Sequence, residues 1–204
     1  MRFTGHLDLQ RTWERTLRRA TLPLTYSQGY NPRPKIQLSP ALPLGCTSEC
    51  EMIDIRLDSP LSTDEIFTRL QQAVPPGITV SSVEEPPSDA PALQNQVTSV
   101  VYHVILPATT SRVELKAGIE QLLQTRAIQR TRRGKTYDLR PLVEELGLVQ
   151  GTTAEYPTLR VVLASREGAT GRPEEVLLEL GFDPADCLIH RTQLLTLSPG
   201  QVGA

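Results

Sequence analysis

The chain has 204 residues, and its 21 lysines and arginines nearly balance its 23 aspartates and glutamates, so the net charge is −2. With 39% hydrophobic and 22% charged residues, it has the composition of a folded globular protein and not of a disordered or uniformly basic one. No apolar run reaches the ~18 residues of a membrane span, and no signal-peptide core follows Met1, so we expect a cytoplasmic protein without membrane contact. The chain has only three cysteines, and we expect their thiols to be reduced.

The N-terminal half is predicted to contain two helices and several extended segments. Its elements are a helix over 7–20, extended segments over 35–39 and 51–57, a second helix and a closing strand over 78–83. The second helix begins at Ser62, which Glu65 follows in the spacing of a capping box, and it ends before Pro75. No strand precedes the first helix, so we expect that strand to come from elsewhere or to be missing from a truncated chain start.

A proline-rich segment predicts the domain boundary. Pro86, Pro87 and Pro91 fall within six residues, and proline continues neither a helix nor an inner strand. We therefore predict an N-terminal domain over 1–84, a linker over 85–95, a C-terminal domain over 96–198 and a tail over 199–204.

The C-terminal half is predicted to repeat a similar order of elements. Strands are expected over 97–106, 126–132, 158–164 and 188–197. One helix begins at Ser111, with Glu114 in capping-box spacing, and another begins near Pro173 and ends at Gly181. Both halves approximate β-α-β-β-α-β. We therefore predict an α+β fold with two ferredoxin-like (split βαβ) halves in tandem, the first lacking its N-terminal strand.

The first helix is predicted to have an apolar face and a cationic face. Trp13 belongs to the apolar stripe that should face the core, and Arg11, Arg15 and Arg18 fall on the opposite side. The arginines admit two interpretations. They form either a solvated face, which the i,i+4 pair of Glu14 and Arg18 would support, or a face whose guanidinium groups contact phosphates.

The segment over 25–35 mixes aromatic, polar and cationic side chains with glycine and prolines. Its candidate RNA contacts are Tyr26, Gln28, Tyr30, Arg33 and Lys35. Aromatic rings among cations suit the stacking of bases and the neutralisation of phosphates. The alternative interpretation is an ordered turn whose tyrosines close over the core.

A second basic cluster follows in the C-terminal half. Its candidate RNA contacts are Arg130, Arg132, Arg133, Lys135 and Tyr137. The dipeptide at Arg133 and Gly134 is typical of a tight turn, which would project these side chains at the tip of a hairpin. The alternative is a solvated hairpin tip without a ligand.

The cysteines and histidines predict neither a metal centre nor an established catalytic site. Cys46 and Cys50 have C-x3-C spacing, but Ile53 stands where an iron–sulfur cluster would need a third thiolate, so we expect no metal and no cofactor. His103 and His190 are interpreted as strand residues. His6 is a weak catalytic candidate because it begins the arginine-bearing helix and an imidazole can act as a general base.

Several segments match a known bacterial family. They are RFTGHLDL at 2–9, ERTLRRA at 14–20, LPLTYSQGYNP at 22–32, PKI at 34–36, LPLG at 42–45, EMID at 51–54 and YDLRP at 137–141. In these segments the chain resembles the radical-SAM-linked proteins, a family of unknown function found beside, or fused to the C-terminus of, B12-binding-type radical SAM proteins. Family members usually carry a strand and a glycine turn before the segment that matches residues 2 and 3.

This resemblance implies a radical SAM protein as the partner. Many such enzymes modify RNA, so by analogy it also implies tRNA or rRNA as a ligand. We therefore predict a non-catalytic accessory protein that recognises or presents an RNA substrate to a radical SAM enzyme. Two alternatives stay open. One is a metal-independent endoribonuclease of the CRISPR repeat-processing type that uses His6, and the other is a purely protein-binding adaptor.

Overall fold

A computed structural model describes residues 1–87, 90–132, 134–149 and 156–196, which form two units of mixed α+β structure. The first unit contains Met1–Leu44 and Glu51–Gln94, and the second contains Gly45–Cys50 together with the described residues from Asn95 onward. The predicted tail over 199–204 lies outside the described residues. None of the helices within the described ranges has the length and apolar character needed to span a membrane.

The structure contains five α-helices and ten strands within the described ranges. In chain order they are α1 (His6–Arg19), β1 (Ile36–Leu38), β2 (Thr47–Ser48), β3 (Ile53–Ile55), α2 (Thr63–Ala73), α3 (Leu93–Gln96), β4 (Val97–Ile105), α4 (Arg112–Gln124), β5 (Gln129–Arg132), β6 (Lys135–Asp138), β7 (Val143–Leu148), β8 (Thr158–Arg166), β9 (Ala169–Thr170), α5 (Pro173–Glu179) and β10 (Leu188–Thr196).

The core of the first unit lies between two helices and a small antiparallel sheet. β1 pairs with β3 so that Ile36 lies opposite Ile55. Leu17 of α1 and Leu70 of α2 are buried in the same cluster, against which both isoleucines pack. The apolar stripe predicted for the first helix is therefore its core face, and the cationic stripe lies on the side away from the sheet.

Of two elements predicted for the first unit, the structure contains the helix but not the closing strand. The second helix is confirmed, and Ser62 caps it by accepting a hydrogen bond from the Glu65 backbone N–H at 3.2 Å. The closing strand predicted over 78–83 is not a strand in the structure. In this segment the Gln71 amide donates to the Val80 carbonyl at 2.8 Å, and the Val80 side chain packs against the core cluster.

The second unit is built around a sheet with the strand order β2-β10-β4-β8-β7, and β9 pairs with the end of β8. The pairs among β10, β4, β8 and β7 are antiparallel, whereas β2 runs parallel to β10. The predicted helix after Ser111 is confirmed as α4, and the Ser111 hydroxyl accepts from the Glu114 N–H at 3.4 Å. The predicted strand over 126–132 is shorter, and β7 was not predicted.

The edge strand β2 comes from the part of the chain between β1 and β3. Thr47 lies opposite His190, and the Glu49 N–H donates to the Arg191 carbonyl at 3.2 Å. The short segment 45–50 thus belongs to the second unit, although the sequence places it in the middle of the predicted domain over 1–84. A two-residue strand has no periodicity of its own, so its pairing is set by its neighbours.

The hairpin of β5 and β6 is inserted between α4 and β7 and is braced at its base. The Asp138 carboxylate accepts hydrogen bonds from the Ile128 N–H at 2.7 Å and the Arg140 N–H at 3.0 Å. The Arg140 guanidinium donates to the carbonyl of Leu123 at 3.0 Å and to that of Val143 at 2.9 Å. The YDLRP motif at 137–141 therefore has a structural role, because it ties the hairpin to α4 and to the start of β7.

Candidate functional site

The segment over 25–35 forms a closed hairpin in the first unit. Tyr26 pairs with Pro34 in an antiparallel bridge, and the Lys35 N–H donates to the Thr25 carbonyl at 2.8 Å. At the next position the Ser27 N–H donates to the Arg33 carbonyl at 2.8 Å. These bonds hold the base of the loop, so the residues between them project as one tip.

The tip of this hairpin presents an aromatic ring to solvent. The Tyr30 side chain is 100% exposed and Tyr26 is 38% exposed, so Tyr30 does not close over the core. Gln28 is also exposed, and the neighbouring Gly29 has φ +143°, a backbone conformation that side-chain-bearing residues rarely adopt. An exposed ring has an available π-face, which is the requirement for stacking an unpaired base.

The outer face of the sheet in the first unit carries two cations and one acid, Asp54, which lies opposite Gln37 and two positions before Arg56. The register of β1 and β3 places Lys35 opposite Arg56, and the Arg56 N–H donates to the Lys35 carbonyl at 3.2 Å. Arg33 precedes Lys35 by two residues in the same hairpin. All three side chains are exposed, and no acid within the described ranges forms an ion pair with any of them. Like charges directly opposite each other destabilise a sheet, so this face gains from an anion.

Arg56 is a site residue that the sequence did not reveal. It stands alone among acids in its part of the chain, 21 positions after Lys35. Only the strand pairing makes the two cations neighbours. The signal that could have found it was the alternation of Ile53, Asp54, Ile55 and Arg56, which predicts an outward-facing side chain at that position.

The arginine stripe of α1 is exposed but lies apart from the hairpin face. Arg11 is paired with Asp8 at 3.4 Å, and Arg18 with Glu14 at 3.8 Å, whereas Arg15 has no ion pair with any described residue. Because the core face of α1 packs against the inner face of the sheet, the apolar core lies between the stripe and the outer face. The structure therefore does not merge these arginines with the hairpin into one surface.

The cations of the second basic cluster lie beside acidic residues of α5. Arg130 pairs with Glu175 at 3.2 Å and also with Glu179. Tyr137 lies opposite Arg130 in the hairpin, and its pKa is raised by burial and by the charge of Glu175. These glutamates offset the positive charge of Arg130.

The remaining members of this cluster are also near acids or at the tip. Arg132 lies opposite Lys135. Burial raises the pKa of Glu174, and the charge of Arg132 counteracts that rise. Lys135 is exposed, and Arg133 lies outside the described residues. Within the described ranges, the hairpin in the first unit thus has no ion pair, whereas Arg130 of the second hairpin is paired with two glutamates.

His6 lines a small cleft in the first unit. The cleft has a volume of about 30 Å³ and is also lined by Trp13, Ser39 and Glu51. The Ser39 hydroxyl donates to the Glu51 carboxylate at 2.7 Å and accepts from the Met52 N–H at 3.4 Å, so its hydrogen bonds are in use. Such a volume holds a water molecule or two and excludes a nucleotide. The geometry therefore gives no support to RNA cleavage at His6.

The three cysteines are free thiols with different surroundings. Cys46 is buried, and burial raises the pKa of Cys187 to about 11. The Cys50 thiol donates to the Arg191 carbonyl at 3.8 Å. Across the described part of the chain, no three histidine, cysteine, aspartate or glutamate side chains are grouped as metal ligands.

These features define an α+β protein of two units whose first unit presents an exposed, cationic and aromatic hairpin. A family model described as an uncharacterised protein conserved in bacteria, DUF2344, matches residues 1–173. Since the match spans well over half of the chain, the protein belongs to this family. No curated protein matches the chain.

Proposed function

We propose that the protein binds single-stranded segments of RNA, as a non-catalytic accessory of a radical SAM enzyme in the bacterial cytoplasm. The observation that carries the proposal is the pair of cations Lys35 and Arg56, neither of which has an ion pair within the described ranges, on the sheet that leads into a hairpin tipped by the exposed ring of Tyr30. Phosphates would relieve the repulsion between the cations, and unpaired bases would stack on the tyrosine. An RNA such as tRNA or rRNA offers both groups in its loops.

The radical SAM partner rests on the resemblance of the sequence segments. An accessory protein needs a binding surface and no reaction centre of its own, and the exposed hairpin is such a surface. The cavity at His6 is too small for a nucleotide, so a partner would have to supply the chemistry. Co-expression of the chain with a radical SAM protein, followed by size-exclusion chromatography, tests this part, and separate elution at micromolar concentration contradicts it.

We also propose that both units follow the split βαβ plan. In the second unit the order β10-β4-β8-β7, with α4 after β4 and α5 after β8, supports this assignment, with β5 and β6 as an inserted hairpin and β2 as an added edge. In the first unit the support is the run α1, β1, β3, α2, which corresponds to the two helices and two central elements of that plan.

The test of RNA binding is the anisotropy of a labelled oligouridylate of about 10 nucleotides. Lys35→Glu combined with Arg56→Glu should weaken binding and reduce the slope of log affinity against log salt by about 1.4, because each single-strand phosphate contact contributes about 0.7. The matched control is Lys116→Glu with Arg126→Glu, which changes the net charge equally at exposed positions of the second unit. A third variant, Arg15→Glu with Arg18→Glu, reports whether the α1 stripe also contacts RNA.

Stacking is tested separately from charge. Tyr30→Ala should weaken binding by about 1–3 kcal/mol and leave the salt slope unchanged, since the ring carries no charge. Tyr156→Ala is the control, because that tyrosine is also exposed, at 46%, but lies in the second unit. If the unaltered protein binds no RNA even at ~50 mM salt, where electrostatic attraction is strong, RNA binding is refuted and the protein-binding adaptor remains.

A further inference from the structure

A row of polar side chains crosses the sheet of the second unit. Strand register places Thr47 opposite His190, His190 opposite His103 and His103 opposite Arg160. Residues directly opposite each other have side chains on the same face of the sheet, with Cβ atoms about 4.5–5.5 Å apart. The two histidines, which are 87 positions apart in the sequence, are therefore side by side on one face together with an arginine.

This row lies on an accessible part of the sheet. Next to it on the same face, Ile105 lies opposite Leu188, and these two apolar side chains are 39% and 54% exposed. The intervening positions point to the other face, where Tyr102 is buried. An exposed apolar pair beside a polar row offers contacts to both parts of an amphipathic ligand.

The charges along the row leave an excess of basic groups in its centre. The Thr47 hydroxyl lies 2.7 Å from Nδ1 of His190, and the Glu49 carboxylate lies 3.6 Å from Nε2 of the same ring. At the other end Arg160 pairs with Glu145 from β7. Two acids thus flank three basic side chains, because His103 lies between His190 and Arg160.

The row can donate several hydrogen bonds to one anion. A guanidinium has five N–H donors, and an imidazole donates from at least one ring nitrogen. Because His103 lies between His190 and Arg160, an anion placed over His103 lies beside donors from all three side chains.

We propose that His103, His190 and Arg160 bind a phosphate group on this sheet face, and that Ile105 and Leu188 contact the apolar or planar body attached to it. The ligand class is a nucleotide phosphate, either a free monoester or a diester within RNA. The site lies in the second unit, whereas the hairpin lies in the first unit.

The chain contains three histidines, which makes imidazole NMR a direct test. The experiment uses the variant Lys35→Glu with Arg56→Glu, which lacks the cation pair on the hairpin face of the first unit. Uridine monophosphate is added to this variant at pH 6. The signals of His103 and His190 should shift with ligand, and that of His6, in the other unit, should not. Arg160→Gln, at a side chain 39% exposed, should weaken binding about tenfold without unfolding the protein.

The NMR and binding measurements show whether the site exists and which form of nucleotide it binds. Equal shifts at all three histidines, or binding unaffected by both His103→Gln and Arg160→Gln, overturn the site. Oligouridylate that binds more tightly than the mononucleotide identifies an RNA strand as the ligand, and equal affinities identify a free nucleotide. Because the hairpin cations are already replaced, a failure here leaves RNA binding by the first unit untouched.

Discussion

A buried arginine–tyrosine pair links β10 to β4, and its energetic coupling can be predicted. Both residues are 2% exposed. Arg191 donates to the Tyr102 hydroxyl from Nε at 3.3 Å and from a terminal nitrogen at 2.9 Å. The guanidinium carbon also lies 5.4 Å from the centroid of the ring, within the range of a cation–π contact. The pair holds the strand that carries His190.

The perturbation is a double-mutant cycle with Tyr102→Phe and Arg191→Met. Tyr102→Phe keeps the ring and removes only the acceptor, and hydrogen bonds to a charged group contribute about 1.5–3 kcal/mol. Both bonds end on one hydroxyl, so we expect a loss of about 2–3 kcal/mol. Arg191→Met leaves that hydroxyl without its donor, at a cost of about 1–3 kcal/mol. The double variant leaves neither group of the pair behind, so its loss should be smaller than the sum by at least about 1 kcal/mol.

Urea unfolding followed by circular dichroism gives the free energy of unfolding of all four proteins. The slope against urea should stay constant, which shows that the change lies in stability and not in the surface exposed on unfolding. Amide hydrogen exchange of β4 and β10 then locates the effect. If the two single losses add to within ~0.5 kcal/mol, the side chains are not coupled and the reasoning is refuted.

Two further predictions concern the same unit. Burial raises the pKa of Tyr102 to about 12, so the unfolded state loses this proton at lower pH than the folded state does. The contribution of this group to the free energy of unfolding should be complete below pH ~10 and fall by about 2–3 kcal/mol towards pH 12. Urea titrations should show a smaller fall for Tyr102→Phe. A methyl group at Gly171 would lie 3.0 Å from Cβ of Leu163 and 3.1 Å from the Leu142 carbonyl oxygen, so Gly171→Ala should cost about 1–3 kcal/mol. Gly147→Ala meets no described atom within 4 Å and should change stability by less than about 0.5 kcal/mol; equal shifts in thermal unfolding would contradict the packing argument.

The helices and their caps could be predicted because their determinants are short-range. The hydroxyls of Ser62 and Ser111 each accept from a backbone N–H three residues later, and both spacings are visible in the sequence. The strand predicted over 78–83 was wrong, and the Val80 carbonyl there accepts a hydrogen bond from the Gln71 side chain and not from a neighbouring strand. A strand needs a neighbour, and a local pattern does not supply one.

The candidate sites show the same division between local and distant determinants. The aromatic and cationic composition of the hairpin at 25–35 is visible in the sequence, and so are the basic residues of the β5–β6 hairpin. What the sequence did not show is which charges are balanced. Arg130 forms ion pairs with Glu175 and Glu179, which lie on a helix more than forty positions away in the sequence. Lys35 instead lies opposite a second cation, Arg56.

The sequence by itself determined the α+β class, the confirmed helices with their serine caps, the apolar face of the first helix and the positions of the basic clusters. Each of these features depends on residues that lie within a few helical turns or strand positions of one another. Only the tertiary structure decided that residues 45–50 join the second unit, that His103 and His190 are neighbours, and that Arg130 of one basic hairpin pairs with glutamates whereas Lys35 of the other lies opposite Arg56. Those outcomes depend on strand register and on charges from distant elements, since electrostatic balance follows distance in space and not separation along the chain.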